Sequence, residues 1–331
     1  MTKGRSRANE ADLSTASSAR WFAFRVRRHL GWARTQGIGR LIEEDELNPL
    51  ERIPNALRKA RWRRTHDASP NAMPVFLVGL QRSGTNMLVR GLERAPEFEI
   101  HNENDRQSFD RFRLLPDPVI RSVVMRSPHE YVLFKPLCDS HRIGELLDEL
   151  GTPTKGKAIW AYRSVDGRTR SALAKFGDSN LRALARISGG LGSSSWQAQG
   201  LSEASLELIR GFDYGRMTPA SAAALFWYVR NSLFFELGLS ERPDVILMSY
   251  DAVLAQPEAT MRALCRFLGL AFDPAFVDHV EVRSRPDAPA EEIDPVIRAR
   301  CADLQGRLDA VARDVSVAAP NDGSVGPGGN V

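Results

Sequence analysis

From residue 74 onward, short β-rich runs alternate with longer stretches in which apolar positions recur every three or four residues. The short runs fall at 75–78, 98–101, 131–134, 158–162 and 245–248. Several are nearly continuously apolar, as parallel strands covered on both faces are. Helical spacing occupies 87–94, 143–150, 169–176, 219–237 and 257–268. The alternation predicts a layered α/β fold, with a central parallel sheet flanked by helices on both sides. In such sheets ligands sit at the carboxyl ends of the strands, and the polar motifs described below all fall there.

Between the first strand and the first helix the chain reads Gly79-Leu-Gln-Arg82-Ser83-Gly84-Thr85-Asn86. Glycines let a backbone approach an anion, successive N–H groups line one concavity, and a helix N-terminus adds positive potential. The spacing of Gly79 and Gly84 matches the nucleotide-triphosphate loop G-x-x-x-x-G-K-[ST], but Thr85 stands in the lysine slot and Asn86 in the slot of the Mg²⁺-binding hydroxyl. The cation present is Arg82, a planar fork suited to phosphate or sulfate oxygens. The loop therefore reads as a site for an anionic nucleotide handled without a metal. A turn whose glycines serve only the turn is the plainer alternative.

The 331 residues allow one large core with extensions. Residues 1–72 carry 15 Lys/Arg against 8 Asp/Glu and the remainder 30 against 33, so the basic character lies in an N-terminal extension. Within it, Trp21, Phe22, Phe24, Val26, Leu30 and Trp32 alternate with Arg20, Arg25, Arg27, Arg28 and Arg34. That pattern fits a basic amphipathic helix, either packed on the domain or touching an anionic membrane as a peripheral contact. The expected organisation is a basic helical extension over 1–72, a catalytic domain over 73–314 and a disordered Gly-rich tail over 315–331. The small-residue loop 188–200 reads as a lid or spacer, with Trp196 either stacking on a substrate or anchoring the loop. The three cysteines show no pairing pattern, and the scattered histidines give no zinc cluster. With no apolar stretch of membrane-spanning length and no secretory core, a cytoplasmic protein is expected.

A second constellation follows the fourth strand: Arg163 at its end and Ser171 eight residues later, in the next helix. Taken with the first loop, it resembles the sulfotransferases that use 3′-phosphoadenosine 5′-phosphosulfate (PAPS). In that family an [RK]-S-G-T-[TN] loop holds the 5′-phosphosulfate, here Arg82-Ser83-Gly84-Thr85-Asn86, and an R-(seven residues)-S element holds the 3′-phosphate, here Arg163 and Ser171. The segment from Tyr250-Asp251 through Pro257-Glu258 to Phe267-Leu-Gly269 is similar to the family's Y-E-D-L…P-E…FLG stretch. The resemblance covers about residues 73 to 314 and is nearest the bacterial and tyrosylprotein branch. It implies a three-layer P-loop-NTPase-like sandwich, PAPS as co-substrate and metal-independent transfer of a sulfuryl group.

The resemblance also distributes roles. Glu103 falls in the slot of a catalytic base, with His101 as its main rival and Asp105 a weaker one. Lys135 is placed beside the sulfuryl group, where it and Arg82 stabilise the leaving phosphate. Tyr250 and Asp251 read as structural, an aromatic at a strand end beside a cap for the following segment. Arg283 and Arg285 lie where the family often carries a further nucleotide-contacting loop, although no motif fixes their register. The acceptor is expected to be a small-molecule, lipid or carbohydrate hydroxyl or amine, with no nucleic-acid partner. The alternatives are a P-loop kinase or other phosphotransferase, which needs Mg²⁺ ligands that this loop lacks, and a non-catalytic nucleotide-binding relative.

Overall fold

The computed structural model describes residues 49–66, 71–191, 195–283, 289–290 and 292–317. The basic amphipathic stretch at 20–34, Arg285 and the chain beyond 317 lie outside the described residues. Five parallel strands form the sheet: β1 (Met73–Gly79), β2 (Phe98–His101), β5 (Tyr131–Phe134), β6 (Lys157–Tyr162) and β7 (Val245–Ser249). Their order is β2-β5-β1-β6-β7, which puts β1 at the centre. A separate two-stranded hairpin pairs β3 (Phe109–Asp110) with β4 (Arg113–Leu114).

The continuous apolar runs follow from two cores, one on each face of the sheet. Phe76 and Val78 of β1 point into one core and Val75 and Leu77 into the other, and all four are fully buried. Each such side chain contributes about 1.5–3 kcal/mol of burial, so neither face tolerates the polar alternation of a half-exposed strand. The first face is covered by α3 (Asp117–Arg126), α4 (Ile143–Glu149), α5 (Val165–Phe176), α6 (Ser179–Ser188), α8 (Pro219–Glu236) and α11 (Pro295–Val317). The second is covered by α2 (Thr85–Leu92), α9 (Tyr250–Ala255) and α10 (Pro257–Leu268). The result is the three-layer sandwich that the sequence pattern implies.

The five strands lie within two residues of their expected bounds. Helix α5 starts four residues earlier than its periodicity suggests, because Ser164 and Val165 are held by Asp251 and by the Gln305 side chain of α11. Helix α7 (Glu203–Arg210) and α1 (Pro49–Thr65) complete the helical set among the described residues. The latter docks through Trp62, which stacks on His129 with ring centroids 5.5 Å apart, and through Arg58, whose Nη1 donates to the Arg94 carbonyl at 2.8 Å. Trp196 packs edge-on against Phe226 at 5.9 Å and joins the first core, so its role here is that of the packing anchor.

Candidate functional site

Strand β1 ends at Gly79, whose backbone has φ +119°. A Cβ there would sit 2.2 Å from the Ala161 carbonyl oxygen, the residue paired with Gly79 across β1 and β6, so only glycine keeps the two strands in register where the loop begins. The Gly79 N–H donates to Ser140 Oγ at 3.0 Å. Arg82 and Gly84 then adopt left-handed backbone, φ 73° and 83°, on either side of Ser83. This curls the chain around the N-terminus of α2, where the first intrahelical bond is made by the Met87 N–H to the Gly84 carbonyl at 3.0 Å and the N–H groups before it point out of the helix end. Ser83 is 1% exposed, and its Oγ has no hydrogen-bond partner.

Two other segments close on this loop. Arg82 Nε donates to Ser171 Oγ at 2.9 Å, joining the loop to helix α5 across 89 residues of chain. Lys135, 6% exposed just past the end of β5, donates from Nζ to Asn86 Oδ1 at 2.7 Å. A lysine ammonium thus lies against the side chain that replaces a magnesium-binding hydroxyl. Arg163 reaches the loop through an aromatic ring: its guanidinium carbon lies 4.6 Å from the Tyr250 ring centre, and a Cβ on Gly84 would come within 2.1 Å of Tyr250 Cδ2. Tyr250 is therefore wedged between Gly84 and Arg163.

The turn after β6 is fixed from two sides. Asp251 accepts hydrogen bonds from the Ser164 N–H at 2.7 Å and Ser164 Oγ at 3.2 Å, and Trp227 Nε1 donates to the Arg163 carbonyl at 2.9 Å. The cap of the following segment is instead Ser249, whose Oγ accepts from the Ala252 N–H. Asp251 thus differs from its expected role: it clamps the Arg163 turn and leaves its own helix to Ser249. No local pattern marks Trp227, and the Tyr250-Asp251 motif does not say what it acts on, since these residues act on chain 64 to 166 positions away.

Glu103 lies half-buried in the turn after β2. Strand β2 pairs with β5 so that His101 faces Phe134, and the Lys135 N–H donates to the His101 carbonyl at 3.2 Å. Glu103 and Lys135 therefore both emerge beyond the carboxyl ends of adjacent strands. His101 is 3% exposed, and its ring is held between carboxylates: Nε2 meets Glu99 Oε1 at 3.1 Å, and Nδ1 meets Asp105 Oδ2. Burial pushes its pKa down, but the hydrogen bonds and charges of Glu99 and then Asp105 more than offset this and leave it raised. The imidazole and Asp105 are thus committed to each other. Arg283 anchors its backbone N–H on the Leu254 carbonyl, and its largely exposed side chain lies 4.0 Å from Glu281.

No known protein family and no curated protein matches the chain. Among solved structures it is similar to a sulfotransferase domain from the curacin biosynthetic pathway, at 13% identity over 73% of this chain and 99% of that one, with a TM-score of 0.42. A sulfotransferase domain of the Synechococcus PCC 7002 olefin synthase gives 16% identity over 74% and 95%, with a TM-score of 0.38. A sulfotransferase from Alicyclobacillus acidocaldarius gives 16% over 74% and 96%, with a TM-score of 0.41. At these values the likeness says nothing about chemistry, which has to be read from the site itself.

The site's donor set fits a phosphate-bearing ligand. It offers an unpartnered buried hydroxyl at Ser83, a left-handed glycine that admits no side chain, and three cationic residues around one helix N-terminus. No described helix is long and apolar enough to cross a membrane.

Proposed function

We propose that the chain is a metal-independent sulfotransferase that moves the sulfuryl group of PAPS to a hydroxyl or amine, with Glu103 as general base. The observation that carries this reading is the Arg82–Ser171 hydrogen bond, which unites the glycine loop with the element bearing Arg163. A loop that serves only as a turn has no need of that second element. Its position supports a second phosphate subsite, the feature that separates a 3′-phosphorylated nucleotide from ATP.

In this reading the N–H groups at the start of α2 and the Ser83 hydroxyl orient the 5′-phosphosulfate, while Arg163 and Ser171 take the 3′-phosphate. The acceptor oxygen or nitrogen attacks sulfur as its proton passes to the Glu103 carboxylate. The bond from sulfur to the bridging oxygen breaks, that oxygen keeps the electron pair, and Lys135 and Arg82 stabilise the charge it gains. The products are the sulfated acceptor and adenosine 3′,5′-bisphosphate. We take the acceptor to be a small-molecule, lipid or carbohydrate group met in the cytoplasm.

Two measurements test the reading. Adenosine 3′,5′-bisphosphate should raise the melting temperature of the full chain in the presence of a metal chelator, whereas a response confined to Mg-ATP would sink the proposal in favour of a phosphotransferase. Mass spectrometry of a metabolite extract incubated with the protein and PAPS should then reveal a gain of SO₃ on an acceptor. With that acceptor, Glu103→Gln should lower turnover by about 10²–10⁴-fold, the usual contribution of a positioned base, and unchanged turnover removes Glu103 from the mechanism.

A further inference from the structure

Arg168, in the first turn of α5, is fully buried, yet its polar partners among the described residues are all neutral oxygens. Its Nη1 donates to Asn180 Oδ1 at 3.1 Å and to the Ala223 carbonyl at 3.0 Å, and its Nε faces the Gln81 carbonyl at 3.5 Å. The guanidinium also lies 5.6 Å from the Phe226 ring. Among the described residues, the ionised neighbour that perturbs it is Arg82, a like charge. Burial first and Arg82 second pull its pKa down to about 9, which still leaves it charged at neutral pH.

Among the described residues, Arg168 and Arg230 are the buried arginines, and their surroundings differ. Arg113, Arg142, Arg242 and Arg298 each touch a carboxylate. Arg230 is equally buried, but Asp139 and Glu236 lie within its field. A guanidinium removed from water without a counter-charge is costly, and it persists where something else compensates it. The carbonyl it faces belongs to Gln81, the residue before Arg82, at the root of the loop that holds the unpartnered Ser83 hydroxyl.

We propose that Arg168 is a positioning residue for this loop, fixing the Gln81 carbonyl and keeping a buried charge that the protein leaves unpaired so that an anion bound at residues 83–86 completes the pair. The inference rests on reading the loop as a phosphate site, though not on which nucleotide or group transfer it serves. It predicts that a carboxylate supplied from within the protein will compete with the bound anion.

Asn180→Asp makes that substitution with almost no change of shape, because Asn180 Oδ1 already accepts from Arg168. Asn180 is half-buried in the first turn of α6, where an acidic residue is favoured by the helix dipole, so the variant should fold. Binding of inorganic pyrophosphate to the full chain, measured by calorimetry, should weaken about tenfold in Asn180→Asp. In Asn180→Ala, which drops the hydrogen bond without adding charge, it should change less than threefold. Equal weakening in both variants assigns the effect to the lost hydrogen bond and overturns the proposal, as does unchanged affinity in Asn180→Asp. Wild-type protein that binds pyrophosphate but not adenosine 3′,5′-bisphosphate sinks the sulfotransferase reading and leaves this inference standing. Nucleotide binding with Asn180→Asp indistinguishable from wild type does the reverse, and a wild type that binds neither overturns both.

Discussion

A single methyl group added at Gly84 probes how tightly Tyr250 closes the loop. Gly84 has φ +83°, and in that conformation a residue with a Cβ costs about 1–2 kcal/mol. The methyl carbon of Gly84→Ala would also sit 2.1 Å from Tyr250 Cδ2 and 2.9 Å from Cε2, so the ring must leave its place. Moving the ring gives up its contact with the Arg163 guanidinium at 4.6 Å, a loss of about 0.5–1 kcal/mol for a partly exposed pair. The sum is about 1.5–3 kcal/mol, which for a domain of this size lowers the melting temperature by roughly 3–12 °C. In a Tyr250→Ala background the overlap and the ring contact are already gone, leaving only the backbone cost of about 1–2 kcal/mol. Thermal unfolding of the four proteins of this double-mutant cycle should therefore show a coupling of about 0.5–1 kcal/mol. A Gly84→Ala protein that melts within a degree of wild type, or strict additivity across the cycle, would refute the wedge.

Three further outcomes follow from the same structure. His101, raised by Glu99 and Asp105, stabilises the fold fully below its ordinary value of 6.5 and loses that contribution as pH rises through its folded value, whereas Glu99, lowered by His101 and Ser127 against the opposing effect of burial, contributes fully above its ordinary 4.5 and loses it as pH falls. The stability gap between wild type and His101→Gln, read from denaturant melts, should thus be widest between about 4.5 and 6.5; an equal gap at pH 5 and pH 8 contradicts the assignment. The β3–β4 hairpin turns on Arg111 and Phe112, both left-handed at φ 49° and 71°, where Asn-Gly is the favoured pair, so replacing them with Asn-Gly should raise stability by about 1–2 kcal/mol; an unchanged or lower melting temperature would show that their side chains repay the strain. Trp227→Phe keeps the ring in the core but leaves the Arg163 carbonyl without its donor, at a cost of about 1–3 kcal/mol, and should weaken adenosine 3′,5′-bisphosphate binding more than Phe234→Leu, a core change on the same helix at a ring packed on Trp160 and Phe235.

Strands β1, β5, β6 and β7 are legible because they are buried on both faces, which leaves an apolar run bounded by polar residues; β2, with Glu99 and Ile100 half-buried, lacks that signature, and the glycine loop is legible because its spacing is local. Helix α11 was not, although Ile297, Cys301, Leu304 and Leu308 are buried at helical spacing, because charged residues and Gly306 interrupt the run between them. The hairpin was illegible for the opposite reason: its turn uses residues that disfavour the conformation they adopt. Arg163 and Ser171 could be paired on the chain, but nothing in the sequence indicated that Ser171 bonds to Arg82, or that Tyr250 fills the space above Gly84. Such contacts depend on the strand order β5-β1-β6-β7, which brings together the ends of segments far apart in the chain. Nothing in the sequence separates Arg168 from Arg163 and Arg170 on either side of it; its burial does.

Helix α8 explains how so many distant segments are held in one arrangement. It is buried nearly all round and reads as plain core, yet three positions at helical spacing make polar contacts with parts of the site. The Ala223 carbonyl receives Arg168, the Trp227 indole donates to the Arg163 carbonyl, and Arg230 donates to the carbonyls of Trp196 at 3.3 Å and Gln199 at 2.8 Å. The Arg163 turn, the buried Arg168 charge and the 195–201 segment are therefore referenced to one rigid element. The loops have little freedom to adjust independently, since displacing any of them strands a buried polar group of α8 or of its partner. A preorganised site of this kind suits chemistry that relies on placement and charge, because donors fixed before the ligand arrives need no rearrangement as charge develops on it.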